Sequence, residues 1–457
     1  MSTTDQAVRH QILSMSWPII VELLLTGIIS TGTQYFLNAY SREAMTAVGS
    51  LSQVVSIVVN LYTIISTGGG ILLAIHFGAG DSDECYRLIR AMLAGNLLFG
   101  VLVSVVSLCF TEFYPRLMHL DPSLYFYGRQ YLIVQLSLSI VQSLLITLVA
   151  IFRSLGKMKT VLVCNGIVYI VCFGITASIY YLLPKTSKMM WAYTLAGNLG
   201  QTAGVAYLIW QLRHILLVGW GKEWNCEKRK ENSQNDAVAI DIFEHLKKIV
   251  GYGVPAGMEG ILYLFFMTIA VSIVGIMGKK PLLIRSYVGI LGGYLEICLS
   301  AVNASEFVLI GQEYGRKELD GVKSYFRQSI MIGEILTVIS GILLLFLSSE
   351  ILQRFTENQI IIQDSVSLFR FQFLLDIIKV PAAIVVSSLK AVGDTRTPLI
   401  LIVPGGIILT MLAWFLGIWL EWGLLGVWIG YMADVAFRGM VLLLHWKRWM
   451  REAPKWR

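Results

Sequence analysis

Charged residues are scarce in this chain. Asp, Glu, Lys and Arg make up 14% of its 457 residues, whereas apolar residues make up 56%. Soluble globular proteins carry about 25% charged residues, so the composition excludes an ordinary soluble protein. The chain instead contains many apolar runs of about 20 residues or more, each long enough to cross the hydrocarbon core of a bilayer as a helix. The composition therefore predicts an integral membrane protein.

Several chemical signatures are also missing. The sequence has no GxxxxGK[ST] motif for nucleotide phosphates, and its six histidines form no HExxH pattern. Its six cysteines are scattered, with neither CxxC spacing nor a disulfide framework. We therefore expect neither an enzyme nor an ATP-driven pump, and no cofactor. Energy for transport would then come from an ion gradient or from the gradient of the substrate.

The apolar runs predict the fold class. Because lipid offers no partners for backbone polar groups, a spanning segment must be a helix or part of a closed barrel. Barrel strands alternate apolar and polar residues, but these runs are apolar on every side. We predict an all-α protein of about twelve transmembrane helices. The predicted spans lie near residues 13–38, 47–77, 89–112, 126–152, 161–183, 190–216, 248–277, 283–312, 326–348, 362–391, 398–420 and 424–447.

The basic residues predict the orientation. Lysine and arginine concentrate on alternate loops, including the segment 219–248 and the tail 447–457. The positive-inside rule makes that set cytoplasmic, and an even number of spans places both termini in the cytoplasm. This distribution accounts for the net charge of +7 without a nucleic-acid partner. We expect a monomer in a bacterial inner (plasma) membrane, with the lipid bilayer and a small-molecule substrate as its partners.

An internal repeat divides the chain. SWPIIVE and VPAGMEG place Pro18 and Glu22 in register with Pro255 and Glu259, at an offset of 237 residues (255 − 18 = 237). Arg153 in FRSLGKMKT (152–160) and Lys390 in SLKAVGDTRT (388–397) share that offset, as do HFGAGDSD (76–83) and EYGRKELD (313–320). Structural repeats are common in secondary transporters. The sequence predicts a six-helix lobe over 1–218, a cytoplasmic linker over 219–247, and a six-helix lobe with a basic tail over 248–457.

These motifs resemble those of a known transporter family. The Pro-x-x-x-Glu openings, EAMTAVGSL (43–51), IGQEYGRKELD (310–320) and KAVGDTRTP (390–398) are similar to motifs of the multidrug and toxic compound extrusion (MATE) family. That family belongs to the multidrug/oligosaccharidyl-lipid/polysaccharide exporter superfamily. The resemblance covers residues 13–447. It implies two lobes around a cavity that opens alternately to each side, and export of organic, often cationic, compounds by antiport with Na⁺ or H⁺.

The alternative within that superfamily is a flippase for a lipid-linked or large anionic substrate. A flippase cavity should be strongly cationic, whereas Lys379 is the only clearly midspan lysine. The chain also departs from the family pattern. Relatives carry an aspartate about fifteen residues after the first proline and another in the tenth span, where Thr33 and Lys379 stand here. Asp376 lies one helical turn from the second of these places.

Polar residues within the spans are the candidate site. A charged side chain at the bilayer centre costs about 3 kcal/mol or more and usually faces a cavity. The candidate substrate- or ion-binding residues are Glu22, Thr33, Gln34, Asn60, Gln142, Glu259, Tyr263, Glu296, Asn303, Asp376 and Lys379.

Several roles stay open for these residues. Glu22 and Glu259 either bind ligand or close a cytoplasmic gate, and Asn60 and Gln142 either bind ligand or join helices. If Na⁺ is the coupling ion, we expect it at Glu296 and Asp376. Asp376 and Lys379 lie three residues apart on a helix and can neutralise each other. In the other interpretation, Lys379 is a built-in cation that competes with substrate or proton for Asp376 or Glu296.

Overall fold

The computed structural model describes residues 3–114, 124–182, 190–215 and 235–452. These residues form thirteen α-helices and no strand. The helices are α1 (Thr3–Tyr40), α2 (Arg42–Gly78), α3 (Ser82–Cys109), α4 (Tyr125–Ser137), α5 (Ser139–Ser154), α6 (Met158–Leu182), α7 (Met190–His214), α8 (Asn235–Ile276), α9 (Lys279–Gly315), α10 (Leu319–Gln353), α11 (Gln359–Ala391), α12 (Arg396–Trp414) and α13 (Leu424–Glu452).

The helices confirm the predicted fold class. Ten of them, within the described residues, are long and apolar enough to cross a membrane. The pair α4 and α5, bent by 49° at its junction, forms an eleventh such element. Helix α7, with 25 residues, occupies the place of the sixth predicted span. Each of the twelve predicted spans thus corresponds to a helix or to the bent pair.

The helices pack into two compact units. The N-terminal unit contains Val21–Gly257, and the C-terminal unit contains Met1–Ile20 together with Met258–Arg457. The units therefore divide the chain within α1 and within α8, rather than at the predicted linker. The two division points are again 237 residues apart (257 − 20 = 237). Residues 235–247 of the predicted linker form the start of α8, while its residues 219–234 lie outside the described part of the chain.

Glycines allow α8 to touch α2 inside the N-terminal unit. A Cβ atom on Gly68 would lie 2.1 Å from the carbonyl oxygen of Ile249, and one on Gly253 would lie 2.1 Å from that of Ile64. No side chain larger than hydrogen fits at either position without moving a backbone. The two helices therefore cross in direct backbone contact.

The C-terminal unit repeats this crossing with serines. Ser16 of α1 donates a hydrogen bond to the hydroxyl oxygen of Ser305 in α9, at 3.0 Å. Ser16 is the repeat mate of Gly253, and Ser305 is the repeat mate of Gly68. In each unit, the beginning of one half's first helix packs on the second helix of the other half. The internal repeat seen in the sequence is therefore also present in the packing.

Candidate functional site

Glu22 is bonded by a cation and an amide in the N-terminal unit. Its carboxylate Oε1 accepts hydrogen bonds from Nη2 of Arg153 at 2.6 Å and from Nδ2 of Asn165 at 2.8 Å. Glu22 lies on α1, Arg153 at the end of α5 and Asn165 on α6. The glutamate is 6% exposed. It therefore ties three helices together through a largely buried ion pair.

Glu259 has the equivalent contact in the C-terminal unit. Its Oε2 accepts a hydrogen bond from Nζ of Lys390, which lies at the end of α11. The separation along the chain is 131 residues, the same as between Glu22 and Arg153. Each of the two glutamates therefore has a cationic partner, and the two pairs occupy equivalent positions of the repeat.

The other candidates of the N-terminal unit make local contacts. The hydroxyl of Thr33 donates to the carbonyl of Ile29 at 2.9 Å, and Gln34 Nε2 donates to the Ser30 hydroxyl at 3.4 Å. Both bonds stay within α1, and neither involves Glu22.

Gln142 and Asn60 lie on other helices of this unit. Gln142 Oε1 accepts from Gln135 Nε2 at 3.3 Å, and Gln135 Oε1 accepts from Asn198 Nδ2 at 3.4 Å. The backbone carbonyl of Asn60 accepts from Thr63 at 2.7 Å. Gln142 therefore belongs to a chain of amides that links α4, α5 and α7, which fits the helix-joining interpretation.

Lys379 pairs with Glu296 in the C-terminal unit. The Lys379 ammonium on α11 donates a hydrogen bond to Glu296 Oε2 on α9. Of the two acids considered for this lysine, the partner in direct contact is thus Glu296, 83 residues away, rather than Asp376 on its own helix. The lysine consequently ties α9 to α11 in the middle of both helices.

Asp376 is held by an amide instead. Both of its carboxylate oxygens accept from Nε2 of Gln372 at 3.0 Å. Oε1 of Gln372 in turn accepts from the indole Nε1 of Trp428 in α13, also at 3.0 Å. Asp376 is 4% exposed. Trp428 and Gln372 thus fix the orientation of a buried carboxylate one turn from the lysine.

Tyr263 lies between two charged pairs. The guanidinium carbon of Arg438 is 5.9 Å from the centre of the Tyr263 ring. Arg438 also makes two hydrogen bonds to Asp434, at 2.6 and 2.5 Å. Tyr263 is close enough to Lys379 and Glu296 to interact with them electrostatically. One group of side chains therefore spans α8, α9, α11 and α13, and we call it the charge cluster: Tyr263, Glu296, Asp376, Lys379, Asp434 and Arg438.

Sequence reasoning missed part of this cluster. The four-residue spacing of Asp434 and Arg438 indicates a local pair, and the two residues are bonded. The sequence does not single out Gln372 and Trp428, which orient Asp376 of the cluster. The four-residue spacing of Gln372 and Asp376 was a usable signal for a bonded pair on one helix face. The contact between Tyr263 and Arg438 has no such signal in the sequence, because it depends on how α8 packs against α13.

The hydrogen bond that Asn303 makes does not involve the charge cluster. Asn303 is seven residues beyond Glu296 on α9, or about 10 Å at the rise of an α-helix. Its backbone carbonyl accepts from the Ser387 hydroxyl at 3.1 Å, whereas its side-chain Oδ1 is buried without a hydrogen-bond partner. No group of three or more His, Cys, Asp and Glu side chains in the described residues is arranged to hold a metal ion.

The sequence matches known transporters over nearly its whole length. The family model described as MatE matches residues 18–177 and again residues 255–415, so each half matches separately. "Uncharacterized transporter YisQ" of Bacillus subtilis (strain 168) is 24% identical over 441 residues, covering 95% of this chain and 93% of that protein. "Probable multidrug resistance protein NorM" of Thermotoga maritima is 22% identical, covering 96% and 92%. A solved structure described as "Crystal structure of MATE in the bent conformation" has the same fold, with a TM-score of 0.85, 16% identity, and coverage of 99% and 98%.

Proposed function

Because the chain belongs to the MatE family of membrane transporters, we propose that it is a secondary active transporter that exports organic compounds. The substrates are cationic or amphipathic, and their export is coupled by alternating access to inward movement of Na⁺ or H⁺. The protein acts as a monomer in a bacterial inner membrane, with both termini in the cytoplasm. Membership of the transporter family rests on the match of the family model to both halves of the chain.

The observation that carries the proposal is the ion pair between Lys379 and Glu296. The carboxylate of Glu296 is already bonded to the ammonium of Lys379 inside a membrane-spanning unit. A cation that binds Glu296 at Oε2 must displace Lys379, and Lys379 returns when that cation leaves. Antiport requires this kind of mutual exclusion, because substrate and coupling ion must not be carried together in the same direction.

The charge balance of the cluster supports a cationic ligand. Glu296, Asp376 and Asp434 outnumber Lys379 and Arg438, so the cluster has one excess negative charge when all five groups are ionised. One monovalent cation would neutralise it. The ring of Tyr263 adds a face that already contacts a guanidinium and that attracts organic cations in the same way. The same excess of negative charge does not favour the flippase alternative, which needs a cationic cavity.

Uptake into liposomes tests the proposal. The full-length protein is reconstituted, a Na⁺ gradient or a pH gradient is imposed in separate experiments, and accumulation of ethidium is followed by fluorescence. We expect accumulation with at least one gradient, and at least a tenfold lower rate for Lys379→Gln and for Glu296→Gln.

Lys280→Gln is the matched control. Lys280 of α9 pairs with Asp364 of α11 at 2.8 Å, between the same two helices but at an exposed site. This variant should transport at the rate of the unmodified protein. Ethidium movement that responds to neither gradient would overturn the coupled-export proposal.

A further inference from the structure

Glu306 is a buried acid without a cation beside it. Its side chain is 0% exposed on α9. Oε1 accepts a hydrogen bond from the hydroxyl of Ser388 on α11, and Oε2 has no hydrogen-bond partner. By contrast, Glu22, Glu259, Glu296 and Asp434 each have an arginine or lysine partner.

The surroundings of Glu306 are uncharged. The groups that interact with its carboxyl are the hydroxyls of Ser387 and Ser388, and no charged side chain of the described residues does so. Helix α11 carries one cation close to this point in sequence, Lys390, but its ammonium is bonded to Glu259 of α8. Helix α10 also packs on α9, and none of its described charged groups is among those that interact with the Glu306 carboxyl. The acidic members of the charge cluster begin with Glu296, ten residues or about 15 Å earlier on α9.

An ionised carboxylate in these surroundings is strongly disfavoured. Burying one charge without a counter-charge costs several kcal/mol even after the protein relaxes, so such groups neutralise instead. Neutralisation requires either a proton or a metal ion. A Ca²⁺ or Mg²⁺ ion takes six or more oxygen ligands, whereas one carboxylate, two hydroxyls and an amide oxygen supply at most five.

Asn303 supplies the second observation. Its Oδ1 is also buried without a partner, and it lies three residues from Glu306, on the same face of α9. Both unpartnered atoms are acceptors when Glu306 is ionised. One proton on Oε2 would turn that oxygen into a donor, and a hydrogen bond from it to Asn303 Oδ1 would satisfy both atoms. Two unpaired acceptors about one helical turn apart on the same helix face are what a missing acidic hydrogen would leave.

We propose that Glu306 is a proton-binding site, that it is protonated in this conformation, and that Asn303 accepts its proton in a hydrogen bond. The proton would leave when α9 and α11 separate and water reaches the carboxyl. As a coupling site, Glu306 would make H⁺ the driving ion, and that part rests on the proposed function. The protonation itself does not depend on it.

Infrared spectroscopy of the purified full-length protein at neutral pH tests the protonation directly. A protonated carboxylic acid has a C=O stretching band that a carboxylate and a glutamine amide lack. We expect the wild-type spectrum to lose one such band in Glu306→Gln, and that band to shift in Asn303→Leu, where the acceptor is gone. Glu318→Gln, at an exposed acid, is the control and should lose none.

Three results would overturn the assignment. If Glu306→Gln has the same carboxylic-acid bands as the wild type, Glu306 is ionised. If adding Na⁺ at constant pH removes the band, the site binds Na⁺ in place of the proton. A folded Glu306→Gln protein is expected, with an unfolding temperature equal to or above that of the wild type, because glutamine resembles the protonated acid. A clear fall in that temperature would also count against the proposal.

The transport arm separates the two proposals. With a pH gradient imposed, Glu306→Gln should accumulate ethidium at least tenfold more slowly than the wild type. If the infrared band is found but no gradient drives transport in the wild type, the proton site stands and the proposed function fails. If the band is missing while a gradient drives transport, the function stands and the proton site fails.

Discussion

Glu22 and Glu259 have equivalent partners: each accepts a hydrogen bond from a basic residue 131 positions further along the chain. Glu22 is bonded to Arg153 in the N-terminal unit, and Glu259 to Lys390 in the C-terminal unit. In the N-terminal unit the pair joins α1 to the end of α5, and in the C-terminal unit it joins α8 to the end of α11. In both units, the basic residue lies just before the repeated loop. The same contact therefore occurs at equivalent positions of both units.

The pair between Glu259 and Lys390 should be energetically coupled. Glu259→Gln and Lys390→Met each leave a largely buried charge without a partner, which is strongly destabilising. We expect each single variant to lower the unfolding temperature in detergent, and the double variant to lower it by less than the sum, with a coupling of about 1–3 kcal/mol. The exposed pair Lys280 and Asp364 serves as control and should show little coupling. Strictly additive effects at Glu259 and Lys390 would contradict the interpretation.

Gly253 should not tolerate alanine. The added methyl carbon would lie 2.1 Å from the carbonyl oxygen of Ile64, so α2 and α8 would have to separate. Gly251, two residues earlier on the same helix, has no atom within 4 Å of an added Cβ. We expect Gly253→Ala to lower the unfolding temperature and the yield of folded protein. Gly251→Ala should be neutral or slightly stabilising, since alanine favours a helix interior by about 1 kcal/mol. Equal behaviour of the two variants would show that the close approach is unimportant.

Arg438→Lys should weaken the charge cluster. Arginine makes two hydrogen bonds to Asp434 and lies over the Tyr263 ring, and lysine cannot reproduce that planar geometry. We expect a lower unfolding temperature and a slower ethidium uptake. Arg448 is a matched control on the same helix, because it also bonds an acid four residues away, Glu452, but at an exposed position. Arg448→Lys should change neither measurement; a similar loss in both variants would point to a general effect of losing arginine.

Exchanging the charges of Glu296 and Lys379 should separate folding from transport. The double variant Glu296→Lys with Lys379→Glu keeps one acid and one base between α9 and α11, so its unfolding temperature should be closer to wild type than that of either single variant. Its carboxylate now lies on α11, next to Asp376. We therefore expect ethidium uptake to stay at least tenfold below wild type. Full recovery of uptake would mean that the position of the carboxylate does not matter.

The repeat made much of the architecture predictable. The common offset of 237 residues paired Glu22 with Glu259 and Arg153 with Lys390, and the structure places both sets in equivalent contacts. The sequence did not indicate that members of the two sets bond each other. Whether Glu22 bonds Arg153 depends on the rotation of α1 against α5, and the periodicity of the sequence does not determine that rotation. The partner of Lys379 was open for the same reason, since Glu296 comes from another helix.

The break between α4 and α5 had no sequence signal either. The chain bends by 49° at Leu138 without proline or glycine, whereas α11 continues as one helix through Pro381. The carbonyl of Leu136 accepts from the hydroxyls of Ser104 and Ser139, at 2.5 and 2.8 Å. Ser139 also accepts from the hydroxyl of Tyr62 at 2.9 Å. Hydroxyl groups of α2, α3 and α5 therefore add hydrogen bonds at the break, and those from α2 and α3 are invisible until the tertiary structure is known.

The packing of the first helix of each half on a helix of the other half also affects the order in which native contacts form during synthesis. Ser305, the partner of Ser16, is synthesised 289 residues after it, and Gln328, the partner of Arg9, is synthesised 319 residues after it. At about 5–20 residues per second, the beginning of α1 stays without its native neighbours for roughly 15 to 60 s. The C-terminal unit is therefore completed by the oldest part of the nascent chain, and a ribosome that stalls after the first half would leave that segment for chaperones and proteases to find.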